Sequence, residues 1–145
     1  MKKPLVVIDT NIFISGLIIP RGYPYKVIRL WQDARFNIVI SEQLLAEIDG
    51  VLQRKKIAAR YHLTTDRIRK ITELLLQQGK MISPSSGKLK VRDSKDQFIL
   101  DTAFSSSADF LVTGDEDLLV LANGFSLKKL QIVTPKKFID HIFTV

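Results

Sequence analysis

Asp9, Glu47, Asp96 and Asp115, with Asp117 two residues further on, are the side chains most able to do chemistry together. Asp9 directly follows the apolar run Leu5-Val6-Val7-Ile8. Glu47 stands three residues after Leu44 and four before Val51, so on a helix it borders the apolar face. Asp96 has Leu100 and Ala103 at i+4 and i+7, and Asp115 follows Leu111-Val112-Thr113-Gly114. Carboxylates brought together repel one another unless a cation or a proton compensates them. An oxygen-only donor set suits Mg²⁺ or Mn²⁺, ions that activate water and neutralise charge on a phosphodiester. With no cysteine and only His62 and His141, the chain is closed to zinc ribbons, thiol redox chemistry and cysteine nucleophiles, and is poorly equipped for histidine-rich metal sites and serine–histidine triads.

Taken one at a time, these acids have ordinary explanations. Asp9, Asp96 and Asp115 could each cap a helix, and Asp117 is a typical first-turn acid. Glu47 is harder to dismiss, because an inward-facing glutamate is rarely buried without a partner. Asp93, Asp101 and Asp109 read as surface or turn residues, His62 as a surface residue and His141 as a helix-end residue. The joint pattern, more than any one acid, carries the metal reading.

The elements that must hold these acids alternate between strand and helix. Leu5–Ile8, Phe36–Ile40, Asp109–Thr113 and Leu130–Val133 are short apolar runs rich in β-branched residues, as expected of strands buried on both faces. Met81-Ile82 is a further short strand. Helices are expected over Asn11–Ile19, after Pro24 with Val27, Leu30, Trp31 and Ala34 on the buried stripe, and after Ser41 with Leu44, Leu45, Ile48, Val51 and Leu52 inward. More follow from a cap at Thr64, Thr65 or Asp66 to Gly79, from Asp96 to Ser106, and from Thr134-Pro135 onward. Ser83-Pro84-Ser85-Ser86-Gly87 reads as a loop. Such alternation implies a parallel sheet between helices, an α/β fold in which function gathers beyond the carboxyl ends of the strands. Four segments would then deliver acids to one rim.

A length of 145 residues with 46% hydrophobic content fits one domain, over residues 1–145, with a sizeable core. The apolar runs are too short to span a bilayer, and Asp9 interrupts the first too soon for a secretory signal, so the chain reads as soluble, cytoplasmic and without a membrane role. The net charge is +7. Half of the 22 basic residues lie between Arg54 and Arg92, against only Asp66 and Glu73, so a polyanion such as nucleic acid is the expected partner.

Val7-Ile8-Asp9-Thr10-Asn11, Ser41 with Glu47 six residues later, Asp96, and Leu111-Val112-Thr113-Gly114-Asp115-Glu116-Asp117-Leu118 together resemble the PIN-domain nucleases, and most of all the VapC-like toxins of bacterial toxin–antitoxin pairs. The resemblance runs from about Leu5 to Val133. It implies a three-layer α/β/α sandwich, Rossmann-like, around a parallel sheet of five strands. It also implies a Mg²⁺- or Mn²⁺-dependent endoribonuclease acting on single-stranded RNA. By the resemblance, Asp9, Glu47, Asp96 and Asp115 are the catalytic, metal-holding quartet and Asp117 is an auxiliary acid at the rim. Thr113, Asn11 and Ser41 would orient carboxylates or the attacking water, and Arg54, Lys55, Lys56, Arg60 and Arg67 would line the RNA groove. Tyr25 and Tyr61 are candidates for stacking on bases. Relatives of this kind are held inactive by a small antitoxin protein and commonly form homodimers. Many carry adjacent acids in the third motif, whereas Gln97 follows Asp96 here, which leaves one ion or two open.

A haloacid-dehalogenase-type phosphatase needs a second aspartate two residues after the first, where Asn11 stands, and an acid four residues after Asp115, where Leu119 stands. A receiver-like signalling domain wants a lysine where Thr134-Pro135 follow the last strand. The alternative from a different class is a catalytically idle PIN domain that acts as an RNA-binding or protein-docking module.

Overall fold

The computed structural model describes residues 3–83, 94–123, 127 and 129–144. Five strands, β1 (Leu5–Ile8), β2 (Asn37–Ile40), β3 (Lys80–Met81), β4 (Phe110–Val112) and β5 (Gln131–Val133), form one sheet in the order β3-β2-β1-β4-β5. Every pairing is parallel. This is the α/β sandwich that the alternating pattern predicts.

Successive strand residues point to opposite faces, so each apolar run feeds two cores. Val6, Ile8, Ile38, Ile40, Phe110, Val112 and Val133 pack one way, against α1 (Thr10–Ile18), α2 (Gly22–Gln32), α3 (Glu42–Leu52), α5 (Thr65–Gln78) and α8 (Pro135–Thr144). Val7, Val39, Leu111 and Ile132 pack the other way, against α6 (Ser94–Ser105), α7 (Glu116–Leu119) and a 3₁₀ turn, Val120–Asn123. A short helix, α4 (Lys55–Arg60), joins α3 to α5 and was not separately expected.

The helices that carry the site are firmly anchored. Ser41 caps α3 by accepting the Leu44 amide at 3.1 Å, and Thr64 caps α5 by accepting the Arg67 amide at 3.1 Å. Phe138 on α8 meets Phe36 and Phe110 edge-on, with ring centroids 5.2 Å apart in both pairs. Gly16 on α1 sits so close to α2 that an added Cβ would lie 2.3 Å from Ile28 and 2.5 Å from the Pro24 carbonyl.

Some sequence expectations need correction. Ala34 is not on the buried stripe of α2: that helix ends at Gln32, and Ala34 is exposed in the left-handed region at φ 58°. The Ala34 amide bonds the Trp31 carbonyl and the Arg35 amide bonds the Leu30 carbonyl, a Schellman closure that turns the chain into β2. Asp109 is not a plain turn residue. Its carboxylate accepts the Leu5 amide at 2.8 Å and its carbonyl accepts the Gln131 amide at 3.0 Å, which clamps β1, β4 and β5 together at their amino ends. Tyr61 is partly buried against the core rather than freely presented to a base. Residues 84–87 of the expected loop, together with Asp93, Lys88, Lys90 and Arg92, lie outside the described residues.

Candidate active site

The sheet order reverses between β1 and β4: from β1 the chain moves outward to β2 and β3, and from β4 to β5 on the other side. At such a point the connections diverge and leave a crevice at the carboxyl ends of the strands. Asp9 leaves β1 and Asp115 leaves the segment after β4 at that crevice. A cavity of about 630 Å³ opens there, lined by Asp9, Thr10, Asn11, Leu44, Glu47, Gly50, Val51, Arg54, Asp96, Phe98, Ile99 and Asp115. All four expected acids line it.

Asp9 is set by the sheet itself. Its amide donates to the Val112 carbonyl at 2.9 Å, so β4 fixes where the residue sits. No amide of α1 makes a well-aligned capping bond to its carboxylate, although the Asn11 amide is close enough to favour the charged form. The carboxylate instead accepts the Thr113 hydroxyl at 2.7 Å. Thr113 is fully buried, and its oxygen also accepts the Asp115 amide at 3.0 Å. One hydroxyl thus ties the acid after β1 to the loop after β4. Burial raises the Asp9 pKa above the ordinary carboxylate value; the Thr113 hydroxyl and the Asn11 amide pull it down, and the charges of Asp115 and Glu47 raise it again.

Glu47 enters from α3 and is half-buried; the Thr10 hydroxyl donates to its Oε2 at 3.1 Å. Asp96, in the first turn of α6, is 8% exposed. Asp115 caps α7 by accepting the Asp117 amide at 2.8 Å, which keeps the exposed Asp117 beside it. Asp96, Asp115 and Asp117 each offer an oxygen within 4.8 Å of the others. Three hard oxygen donors at that spacing, next to an Asp9 that burial and the charges of Asp115 and Glu47 disfavour as an anion, fit a divalent cation such as Mg²⁺ or Mn²⁺.

The remaining expected residues divide. Arg54 lines the cavity, whereas Lys55, Lys56, Arg60 and Arg67 are exposed on α4 and at the start of α5. Asn11 is exposed at the cavity edge and reaches Asp9 through its backbone. Ser41 serves as a helix cap, and the bond it makes is to the backbone of α3 rather than to a carboxylate of the cluster. Gln97, the residue after Asp96, turns its amide to Asp101 at 3.0 Å. Thr10 is a site residue that the sequence does not single out. Its signal is a hydroxyl beside Asp9, on a helix that packs against the one carrying Glu47.

Comparison with known proteins places this geometry. Residues 5–117, well over half of the chain, match the sequence model of the PIN domain. Uncharacterized protein MJ1680 of Methanocaldococcus jannaschii is 34% identical over 144 residues, covering 96% of this chain and 92% of its own length. Among solved structures, a chain of VapBC2 from Rickettsia felis, crystallised with a DNA fragment from its promoter, superposes with a TM-score of 0.57. It is 20% identical and covers 88% of this chain and 98% of its own. The matched segment contains β1, the carboxylates of α3 and α6, and the segment Thr113–Asp117 whose Asp115 lines the cavity, and by that match the chain belongs to the PIN domain family.

Proposed function

We propose that this protein is a metal-dependent endoribonuclease that hydrolyses phosphodiester bonds of single-stranded RNA, and that it is the toxin of a toxin–antitoxin pair. The observation that carries the reading is the convergence of Asp9, Glu47, Asp96 and Asp115, from four separate segments, on one open cavity. Asp9, Glu47, Asp96, Asp115 and Asp117 would hold Mg²⁺ or Mn²⁺, one ion or two, with the closely spaced oxygens of Asp96, Asp115 and Asp117 as the first place for an ion. When bound, such an ion supplies charge neutralisation at the phosphodiester and lowers the pKa of an attacking water. Thr113 and Thr10 hold Asp9 and Glu47 in register, so the oxygens that face the cavity are pre-positioned. Arg54 offers a cation at the edge of the same cavity, suited to an RNA phosphate. Beyond it, Lys55, Lys56, Arg60 and Arg67 extend the positive surface, which gives affinity with little sequence choice.

The toxin assignment draws support from the likeness to VapBC2 and from the VapC-like motif order. A small antitoxin whose segment covers the cavity is the partner this implies, and a homodimer is the assembly that such relatives favour. The reaction belongs in the cytoplasm, where RNA is the substrate; among the described residues no helix is long and apolar enough to cross a membrane.

The test is cleavage of a fluorophore-labelled single-stranded RNA in Mn²⁺ or Mg²⁺ against EDTA. Cleavage is expected only with the metal, and Asp9→Asn is expected to reduce it by roughly a hundredfold or more. Metal-dependent binding without turnover would instead favour an idle module, and neither binding nor turnover would leave four acids without a shared task.

A further inference from the structure

One wall of the cavity is made for something other than metal. Along α3, Leu44, Glu47, Gly50 and Val51 fall on one face, and Arg54 follows just past the helix end. Opposite, α6 contributes Phe98 and Ile99 beside Asp96. Acids occupy one part of this cavity, and an aliphatic and aromatic wall with a cation at its edge occupies the rest.

Gly50 is the residue that needs explaining. It lies in the last turn of α3, ahead of the cap Gln53, with ordinary helical backbone rather than a left-handed one. Glycine in such a position weakens a helix relative to alanine. No neighbour requires it, since a Cβ built there meets nothing within 4 Å. Gly16 and Gly79 are different: a Cβ at either would collide with the backbone of a neighbouring residue. Gly50 is exposed on the cavity lining, and a side chain there would project into open space, where it would meet whatever enters the cavity.

We infer that the apolar part of the cavity, between Gly50 and Val51 on α3 and Phe98 on α6, is a nucleobase subsite, which seats a base next to the phosphate held at Arg54 and the acids. The inference rests on the ribonuclease reading and adds to it the part of the substrate that this wall contacts. A flat apolar base matches these side chains in chemistry; Phe98 is partly buried against the core, as Tyr61 is, but unlike Tyr61 it lines the cavity, so the part of its ring that remains exposed there can be stacked on. Arg54 lines the same cavity and offers a cation for the phosphate that joins that base to the next nucleotide. Because stacking is tolerant of base identity, the subsite selects for an unpaired base rather than for a sequence. A duplex keeps its bases stacked within itself and cannot offer one to the wall.

The experiment compares a short labelled single-stranded RNA of mixed sequence with an abasic analogue of the same length, with Ca²⁺ in place of Mn²⁺ to hold turnover down. Wild-type protein is expected to bind the base-bearing oligomer more tightly. Gly50→Leu fills the wall and is expected to weaken that binding roughly tenfold, which removes the preference over the abasic strand. The melting temperatures of Gly50→Ala and Gly50→Leu are expected at or above wild type, with the Mn²⁺-induced thermal shift retained. If Gly50→Leu fails to fold, Gly50→Ala and Phe98→Leu carry the test, and either is expected to lose part of the preference. Unchanged affinity in these variants overturns the subsite, and so does an equal loss for the abasic strand, which would put backbone rather than base against the wall. Loss of the Mn²⁺ shift in a folded Gly50→Ala also overturns it, because Gly50 would then be a support for Glu47. If wild-type protein binds neither oligomer, the ribonuclease reading itself falls, and the subsite with it.

Discussion

Two threonine hydroxyls decide how the acids of the cavity are presented. Thr113 donates to Asp9 and Thr10 donates to Glu47, so one oxygen of each carboxylate is fixed in place, and the Asn11 amide adds to the hold on Asp9. Asp9 carries the larger electrostatic consequence, because burial and then the neighbouring charges of Asp115 and Glu47 raise its pKa against the pull of Thr113 and the Asn11 amide. A carboxyl with a raised folded-state pKa binds its proton more tightly folded than unfolded. The stability it contributes is therefore full below the ordinary carboxylate range and is lost as pH rises through the folded value. Asp9→Asn keeps an oxygen for Thr113 but cannot ionise, so it removes this dependence. Metal-free melting curves from about pH 4 to neutrality should show wild type losing stability relative to Asp9→Asn, which ends higher by a few degrees. Adding Mn²⁺ at neutral pH should raise wild type and leave Asp9→Asn less affected. Parallel metal-free profiles would mean that the Asp9 carboxylate is at ease without a cation.

At the scale of elements, the site depends on α1 lying close to α2 while both pack on the sheet. Gly16 is where the two helices approach, and Phe13 meets Trp31 beside it with ring centroids 5.7 Å apart. Gly16→Ala gains helix propensity but forces a methyl onto Ile28 and onto the Pro24 carbonyl, which cannot yield without moving α2. The overpacking cost should dominate, at about 1–3 kcal/mol. Denaturant unfolding at constant m-value measures it, and a neutral or stabilising result would mean that the helices part easily. Most of this layout was legible in the sequence. The apolar runs marked the sheet, and Ser41, Thr64 and Gly79 marked the helix ends they flank. What escaped was closure without glycine: α2, α4 and α6 are followed by Ala34, His62 and Ser107 in left-handed conformation, at φ 58°, 55° and 55°. None of these residues announces a stop, so the apolar spacing alone carries the buried stripe of α2 on to Ala34 and does not mark α4 off from its surroundings. The acids were legible because strand ends and a helix face fix where they go. Thr10 was not, because its bond to Glu47 depends on how α1 lies against α3, and that is a tertiary fact.

For the whole molecule, charge is segregated: the acids converge at the crevice between β1 and β4, and the basic residues crowd α4 and α5 beside it. Not all of those bases are free to meet a polyanion. Arg69 pairs with Asp66 and Glu73 along α5, and Lys70 pairs with Asp66. Arg54, Lys55, Lys56, Arg60 and Arg67 make no ion pair among the described residues; Arg60 only lies over the Tyr61 ring, 5.5 Å from its centroid, with its charge unneutralised. Single-stranded RNA that runs from the cavity over α4 would release a counterion for each phosphate these residues neutralise. The logarithm of the binding constant should then fall with the logarithm of salt concentration by about 0.7 per phosphate, or about 3.5 if all five are engaged. Lys55→Gln should flatten that slope by about 0.7. Arg69→Gln should leave it near the wild-type value, because Asp66 keeps Lys70 as its partner and no unpaired cation is lost. Anisotropy titrations across a salt series distinguish the two. Equal changes for both variants would mean that the ion pairs on α5 open when RNA arrives, and a flat wild-type slope would mean that the basic face meets solvent alone.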